Sequence, residues 1–267
     1  MTGAMPEWLA VIILGLVEGI TEFLPISSTG HLLLVENLGL VPAQSDLFNV
    51  VIQSGAALAV IAVFARRLLD LASNLGAPWA RDYILKLALA FVITGAGGLL
   101  AKRLGFALPK SVSPVAWATL VGGVAILLIE RRVRGQRLSA RVTWGMAVAV
   151  GLGQLLAAVF PGTSRAAATI LVAVLLGLAR PAATEFSFLL GIPTLLAAGA
   201  LEIRQALRAP DAMSTPWSMV ALGTLISALA ALLVVRWLIR YVQTHTFVPF
   251  GWYRVALGAV MLLLARS

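Results

Sequence analysis

Trp8-Leu9-Ala10-Val11-Ile12-Ile13-Leu14-Gly15-Leu16-Val17-Glu18-Gly19-Ile20-Thr21-Glu22-Phe23-Leu24-Pro25-Ile26-Ser27-Ser28-Thr29-Gly30-His31-Leu32-Leu33-Leu34-Val35 places two carboxylates, four hydroxyls and an imidazole inside an apolar stretch. A charge at the centre of a bilayer costs roughly 2.5–3.5 kcal/mol on insertion scales. Holding a helix in lipid requires none of these groups, so their presence marks a site. Pro25 and Gly30 interrupt the run, and neither arm comfortably reaches the about 20 residues that cross a bilayer. Irregular backbone at membrane depth persists only against protein or a water-filled cavity. The stretch from about 7 to 36 therefore reads as a re-entrant hairpin.

The remainder has the same character. Of 267 residues, 60% are hydrophobic and 12% charged, and the mean hydropathy is +0.98. That is a polytopic α-helical membrane protein; the ten-residue alternation of a β-barrel is absent. No basic segment precedes the first apolar run, which argues against a cleaved signal peptide. The absence of cysteine excludes disulfides, thiolate chemistry and Cys-ligated metal. The formal charge of +9 lies mostly in short loops, above all Arg131, Arg132, Arg134, Arg137 and Arg141. This pattern expects positive-inside topology and contact with anionic membrane lipids, with no nucleic acid involved.

Three matches in chain order suggest duplication. Pro25-Ile26-Ser27-Ser28-Thr29 aligns with Pro161-Gly162-Thr163-Ser164-Arg165 at an offset of 136, with Glu18 set against Gln154. Asp46 to Asn49 aligns with Thr184 to Ser187 at 138, and Trp117 to Ala125 with Trp252 to Val260 at 135. Each half then has a polar-interrupted hairpin (about 7–36 and 143–179) followed by three apolar spans. These are about 47–65, 84–101 and 113–130, then about 184–203, 217–239 and 250–265. Three spans per half is an odd number, so the second half must be inverted. The expected fold is all-α: one integral membrane domain over 1–267, built of inverted repeats (about 1–135 and 136–267), with six transmembrane helices and two re-entrant helical hairpins. The five-Arg loop anchors the cytoplasmic side, with Arg66, Arg67, Arg236 and Arg240 agreeing and Lys102, Arg103 and Lys110 falling outside. Both termini are then extracytoplasmic, and the two hairpin tips meet near the midplane.

Glu18 and Glu22, four apart, share one helix face. So close a pair of carboxylates repels unless a cation intervenes, and oxygen-seeking Mg²⁺ or Ca²⁺ suits them, with phosphate oxygens completing the shell. Interhelical hydrogen-bonding acids are the structural alternative. The hydroxyls and backbone amides of Ser27, Ser28, Thr29 and Gly30 lie where a broken helix restarts, a natural anion site. Thr163, Ser164 and Arg165 repeat the device, and Arg165 adds a planar fork suited to phosphate, or else to a buried ion pair. His31 could serve as general base, general acid or phosphoryl acceptor; His245 reads as interfacial. Gln53, Gln154 and Glu185 are second-layer partners or packing glue. The segments Leu85 to Leu100 and Val220 to Val235 read as scaffold or lipid-facing helices.

The run from Val17 to His31 resembles the signature of the undecaprenyl-diphosphate phosphatases, the bacitracin-resistance family, and so does Pro161-Gly162-Thr163-Ser164-Arg165. Further matches are Val51-Ile52-Gln53, the run from Ala183 to Leu190, and Phe247-Val248-Pro249-Phe250 before Tyr253-Arg254. Ala166-Ala167 stands where the family usually has Ser-Gly. The resemblance implies hydrolysis of undecaprenyl diphosphate to undecaprenyl phosphate and phosphate at the outer side of the bacterial inner membrane, recycling the carrier for cell-wall synthesis. Carried over, Glu18 and Glu22 are the acidic motif and the metal-holding pair. Ser27, Ser28 and His31 supply catalytic groups, and Arg165 grips the diphosphate. Thr29, Gly30, Thr163, Ser164, Gln53 and Gln154 are expected to line the substrate. The nucleophile stays open between Ser, His31 and water, and the oligomeric state between monomer and homodimer. A lipid-carrier flippase or secondary transporter shares this grammar of broken helices and is the rival reading.

Overall fold

The computed structural model describes residues 5–104, 111–208 and 215–265. Its helices are α1 (Glu7–Thr21), α2 (Ser28–Asn37), α3 (Asp46–Val63), α4 (Ala65–Ser73), α5 (Pro78–Arg103), α6 (Val112–Val133), α7 (Trp144–Val159), α8 (Arg165–Leu175), α9 (Arg180–Arg208), α10 (Trp217–Tyr241) and α11 (Val248–Leu264). Among the described residues the only β feature is an isolated bridge between Ser139 and Leu178. Ser27, Ser45, Thr143 and Ser164 cap α2, α3, α7 and α8, each accepting from the backbone N–H three residues on. An amide satisfied within the chain matters most where water is absent.

Five helices, α3, α5, α6, α9 and α10, are long and apolar enough to cross a membrane by length and composition. The sixth expected span is α11, a helix in the expected place but only 17 residues long. Both expected hairpins are present as helix–turn–helix units, α1–α2 and α7–α8. Their second arms have 10 and 11 residues, about 15 Å of helix against a hydrocarbon core of about 30 Å. The first apolar span ends earlier than its hydropathy suggests: the backbone leaves the helix at Phe64, and α4 carries Arg66, Arg67 and Asp70 onward. Lys110 and the side chain of Lys102 lie outside the described residues.

Helices pair across the two halves of the chain. α1 packs on α10 as α7 packs on α5, α3 meets α10 as α9 meets α5, and the counterparts α3–α9 and α6–α11 pack on each other. α10 wedges between α1 and α3 because they meet it through glycine. A Cβ at Gly19 would stand 2.3 Å from the Ser227 carbonyl oxygen, and one at Gly55 would stand 2.2 Å from that of Thr224. The outer faces stay apolar: Leu85, Val92 and Leu99 of α5, Trp117, Val121 and Leu128 of α6, and Leu225, Leu229 and Leu233 of α10 are exposed at helical spacing. α10 is thus both scaffold and outward-facing.

One end carries closed ion pairs. Arg67 donates to Glu185 at 2.8 Å, Lys86 to Asp82 at 2.5 Å, and Arg180 to Glu130, which also accepts from the Phe247 amide. Glu185 therefore serves this end, with Tyr83 also donating to it at 3.3 Å, and takes no part in the hairpin tips.

Candidate active site

Ser27 and Ser164 are the only described non-glycine residues with positive φ, at 74° and 68°. Left-handed backbone costs an L-residue roughly 1–2 kcal/mol and concentrates at functional sites. Both serines are caps, so the structure equates Ser27 with Ser164 and Ser28 with Arg165. The sequence alignment, which paired Ser28 with Ser164, is displaced by one. The second tip holds an extra residue between its proline and its cap, and Gly162, at φ 93°, absorbs it.

That register decides the chemistry. Ser28 and Arg165 open α2 and α8, and both reach Glu22. The Ser28 hydroxyl donates to Oε2 at 2.6 Å, while Arg165 donates to Oε1 through Nε at 3.3 Å and Nη2 at 3.1 Å. The guanidinium also lies 4.9 Å from the Phe23 ring centroid. Its Nη1 is buried and has no acceptor among the described residues. A Cβ at Gly191 would come within 2.4 Å of Nη1, so this close approach requires glycine.

Glu22, Ser28 and Arg165 line a cavity of about 220 Å³, with Ser27, Thr29, Gln53, Gln154 and Ser164 also on its wall. Drug-sized ligands occupy roughly 300–1,000 Å³, so the space suits a head group. Thr94 and Thr194 line it too, and sequence reading had assigned neither: both lie in long apolar helices, with no motif around them.

Four expected site residues lie outside the wall. Glu18 is fully buried one turn before Glu22, and its oxygens accept from no donor among the described residues. The Gly30 amide serves the Ser27 cap, and the Thr163 carbonyl accepts from Arg254. His31 faces Tyr253: Nδ1 lies 2.7 Å from the Ser27 carbonyl oxygen and Nε2 lies 2.7 Å from the Tyr253 hydroxyl. A carbonyl only accepts, so Nδ1 carries the proton and Tyr253 donates to Nε2. His31 thus braces the strained Ser27 backbone.

Arg254, in sequence only a flank of the α11 motif, is the largest fully buried side chain. It donates to the carbonyls of Gly162 and Thr163 at 2.9 Å each, of Thr119 at 3.1 Å, of Ala118 at 3.2 Å and of Pro25 at 3.5 Å. One side chain ties both tips to α6. An arginine inside a 17-residue apolar helix was the available signal.

No group of three or more His, Asp or Glu gathers as a metal shell among the described residues. The donor chemistry nonetheless fits a hard cation in part, since the Glu18 oxygens, with no donor among the described residues, lie beside Glu22.

Proteins named undecaprenyl-diphosphatase are similar over almost the whole chain. One from Xylella fastidiosa is 46% identical over 260 residues, covering 97% of this chain and 98% of its own. One from Rhizobium etli is 44% identical over 263 residues, covering 98% of each. One from Xanthomonas oryzae pv. oryzae is 46% identical over 263 residues, covering 97% of each. Residues 11–260 match the family described as bacitracin resistance protein BacA. With the motifs of both tips assembled around one carboxylate, the chain belongs to the BacA family.

Proposed function

We propose that this protein hydrolyses undecaprenyl diphosphate to undecaprenyl phosphate and inorganic phosphate. The observation that carries the reading is Glu22, which binds the Ser28 hydroxyl on one oxygen and Arg165 on the other, leaving a buried guanidinium nitrogen free. The names of the relatives point to the same substrate.

Ser28 is the nucleophile in this scheme. Its oxygen attacks the terminal phosphorus, and Glu22 Oε2 takes its proton and delivers it to the bridging oxygen as that bond breaks, releasing undecaprenyl phosphate. Water then cleaves the phosphoserine, Glu22 passing one water proton to Ser28 as phosphate leaves. Arg165 Nη1 and the free amides that open α2 and α8 hold phosphate oxygens as charge develops. Of the roles open to His31 in the sequence, that of general base passes to Glu22 in this geometry, with His31 as a positioning residue. Glu18 and Glu22 would hold Mg²⁺ or Ca²⁺, which supplies charge neutralisation. The apolar outer helices receive the prenyl tail.

The purified protein in detergent is expected to release phosphate from undecaprenyl diphosphate, to stop in excess chelator, and to recover on adding Mg²⁺ or Ca²⁺. No release would leave the transporter reading standing. Ser28→Ala is expected to slow turnover about 10²–10⁴-fold. Ser27→Gly should stay within about tenfold, because glycine takes φ 74° freely and loses only tenths of a kcal/mol as a cap. Rates in the opposite order would exchange their roles.

The exchange of helix pairings between halves supports two inverted repeats, six spans and two re-entrant hairpins. Positive-inside topology puts the loop around Arg131 and Arg137 in the cytoplasm, and hydrolysis would then face the outer side of the inner membrane. There it would recycle the cell-wall carrier and confer bacitracin resistance. Single cysteines introduced into the cysteine-free chain at Gln136 and Asn37 should label with an impermeant maleimide only at Asn37 in intact cells.

A further inference from the structure

Gln154 is 2% exposed and lines the cavity beside Arg165. Its Nε2 donates to the Thr94 hydroxyl at 3.1 Å and to the Thr194 hydroxyl at 3.0 Å. Both hydroxyl protons are already committed: Thr94 donates to the Ala90 and Gly151 carbonyls, and Thr194 to the Leu190 carbonyl. Each threonine oxygen can therefore only accept. With the hydroxyl protons committed in this way, a flipped amide would set its oxygen against two acceptors, so the bonds the two threonines make favour this orientation. Gln154 Oε1 is left buried without a donor among the described residues, a deficit that an O–H from a ligand repairs.

A fully ionised phosphate oxygen makes that deficit worse; an oxygen bearing a proton removes it. We infer that Thr94 and Thr194 are positioning residues that lock Gln154 so that its Oε1 accepts the O–H that arrives as water and leaves as the P–OH of inorganic phosphate. The inference rests on the phosphatase reading and extends it to the second half of the reaction. Water oxygen bonds to phosphorus as the phosphorus–Ser28 bond breaks. One water proton stays on that oxygen, bonded to Gln154, and the other passes through Glu22 to Ser28.

Phosphate and sulfate provide a test independent of turnover. Near pH 8 both are tetrahedral dianions of similar size, but only phosphate carries a hydroxyl. At constant ionic strength, the thermal midpoint of the detergent-solubilised protein should report phosphate binding at least about tenfold tighter than sulfate. Gln154→Leu should erase the preference. Thr94→Val combined with Thr194→Val should erase it as well, because the amide is then free to turn, whereas the two Thr→Ser changes should keep it. In turnover, Gln154→Leu should lower kcat and let phosphoenzyme accumulate, with little change in KM. Equal binding of the two anions by the unaltered protein overturns the inference while leaving the phosphatase reading intact, and it needs no variant. Binding of neither anion removes the phosphate site and the inference with it.

Discussion

Arg165→Lys is expected to reduce kcat/KM for undecaprenyl diphosphate by about 10³-fold while leaving expression near normal. The guanidinium does two things at once in this structure. Nε and Nη2 hold Glu22 Oε1, and Nη1 remains free in the buried site. Lysine keeps the charge but presents a single ammonium, which serves Glu22 or a phosphate oxygen and not both in plane. Losing one preorganised donor to a developing oxyanion costs about 10²–10³ in rate, and the lost support of Glu22 adds to it. Phosphate release from purified protein checks the result. Arg165→Ala should be worse in a second respect, since it leaves a buried carboxylate unpaired, a penalty of about 3–5 kcal/mol that a thermal midpoint would register. A lysine variant within tenfold of the unaltered rate would reduce Arg165 to an ion-pair partner of Glu22.

Arg254→Met is expected to cause the largest loss of stability of any single change considered. Five backbone carbonyls accept from that side chain, drawn from both hairpin tips and from α6. Methionine fills much of the volume and donates nothing. Pro25 and Thr163 would lose the donor their carbonyls have in Arg254, at about 1–3 kcal/mol each, while Ala118 and Thr119 keep their places in the α6 ladder and Gly162 keeps the Thr119 hydroxyl. That loss is a large share of the roughly 5–15 kcal/mol that holds a typical domain folded. The protein should fail to accumulate or should elute as aggregate from size exclusion. Arg254→Lys should fall between, reaching only some of the carbonyls. Tyr253→Phe, next in sequence, should fold normally, because it removes one hydroxyl from His31 and leaves the tip carbonyls with their arginine donors. A thermal midpoint for Arg254→Met equal to that of the unaltered protein would mean that the tips are held by other contacts.

These two arginines show where sequence reading stops. Arg165 was legible because it follows a hydroxyl tip and is followed by apolar residues that offer no route to water. Arg254 was not, because a capping role for distant carbonyls has no local pattern; its acceptors lie up to 229 residues away. Thr94 and Thr194 were hidden for the same reason, since a threonine on an apolar helix usually donates to its own preceding turn, as both do here. What sets them apart is the Gln154 amide, brought from another helix. His31 was expected beside the acids, being close in sequence and polar. The strained Ser27 backbone turns it away toward Tyr253.

By itself, the sequence determined the membrane class, the two broken hairpins and the places of the long apolar helices, and it singled out Glu22 and Arg165, which the fold brings together. Hydropathy, proline breaks and buried charge are local costs, payable only in a few ways, and they are written residue by residue. Tertiary structure alone decided that Ser27 matches Ser164, that Ser28 and Arg165 converge on Glu22, and which polar atoms are left over. Those facts depend on φ values, on one extra residue at a tip and on helices drawn together across glycine. A hydrogen bond is set by direction and distance between groups remote in the chain, and no local cost records it.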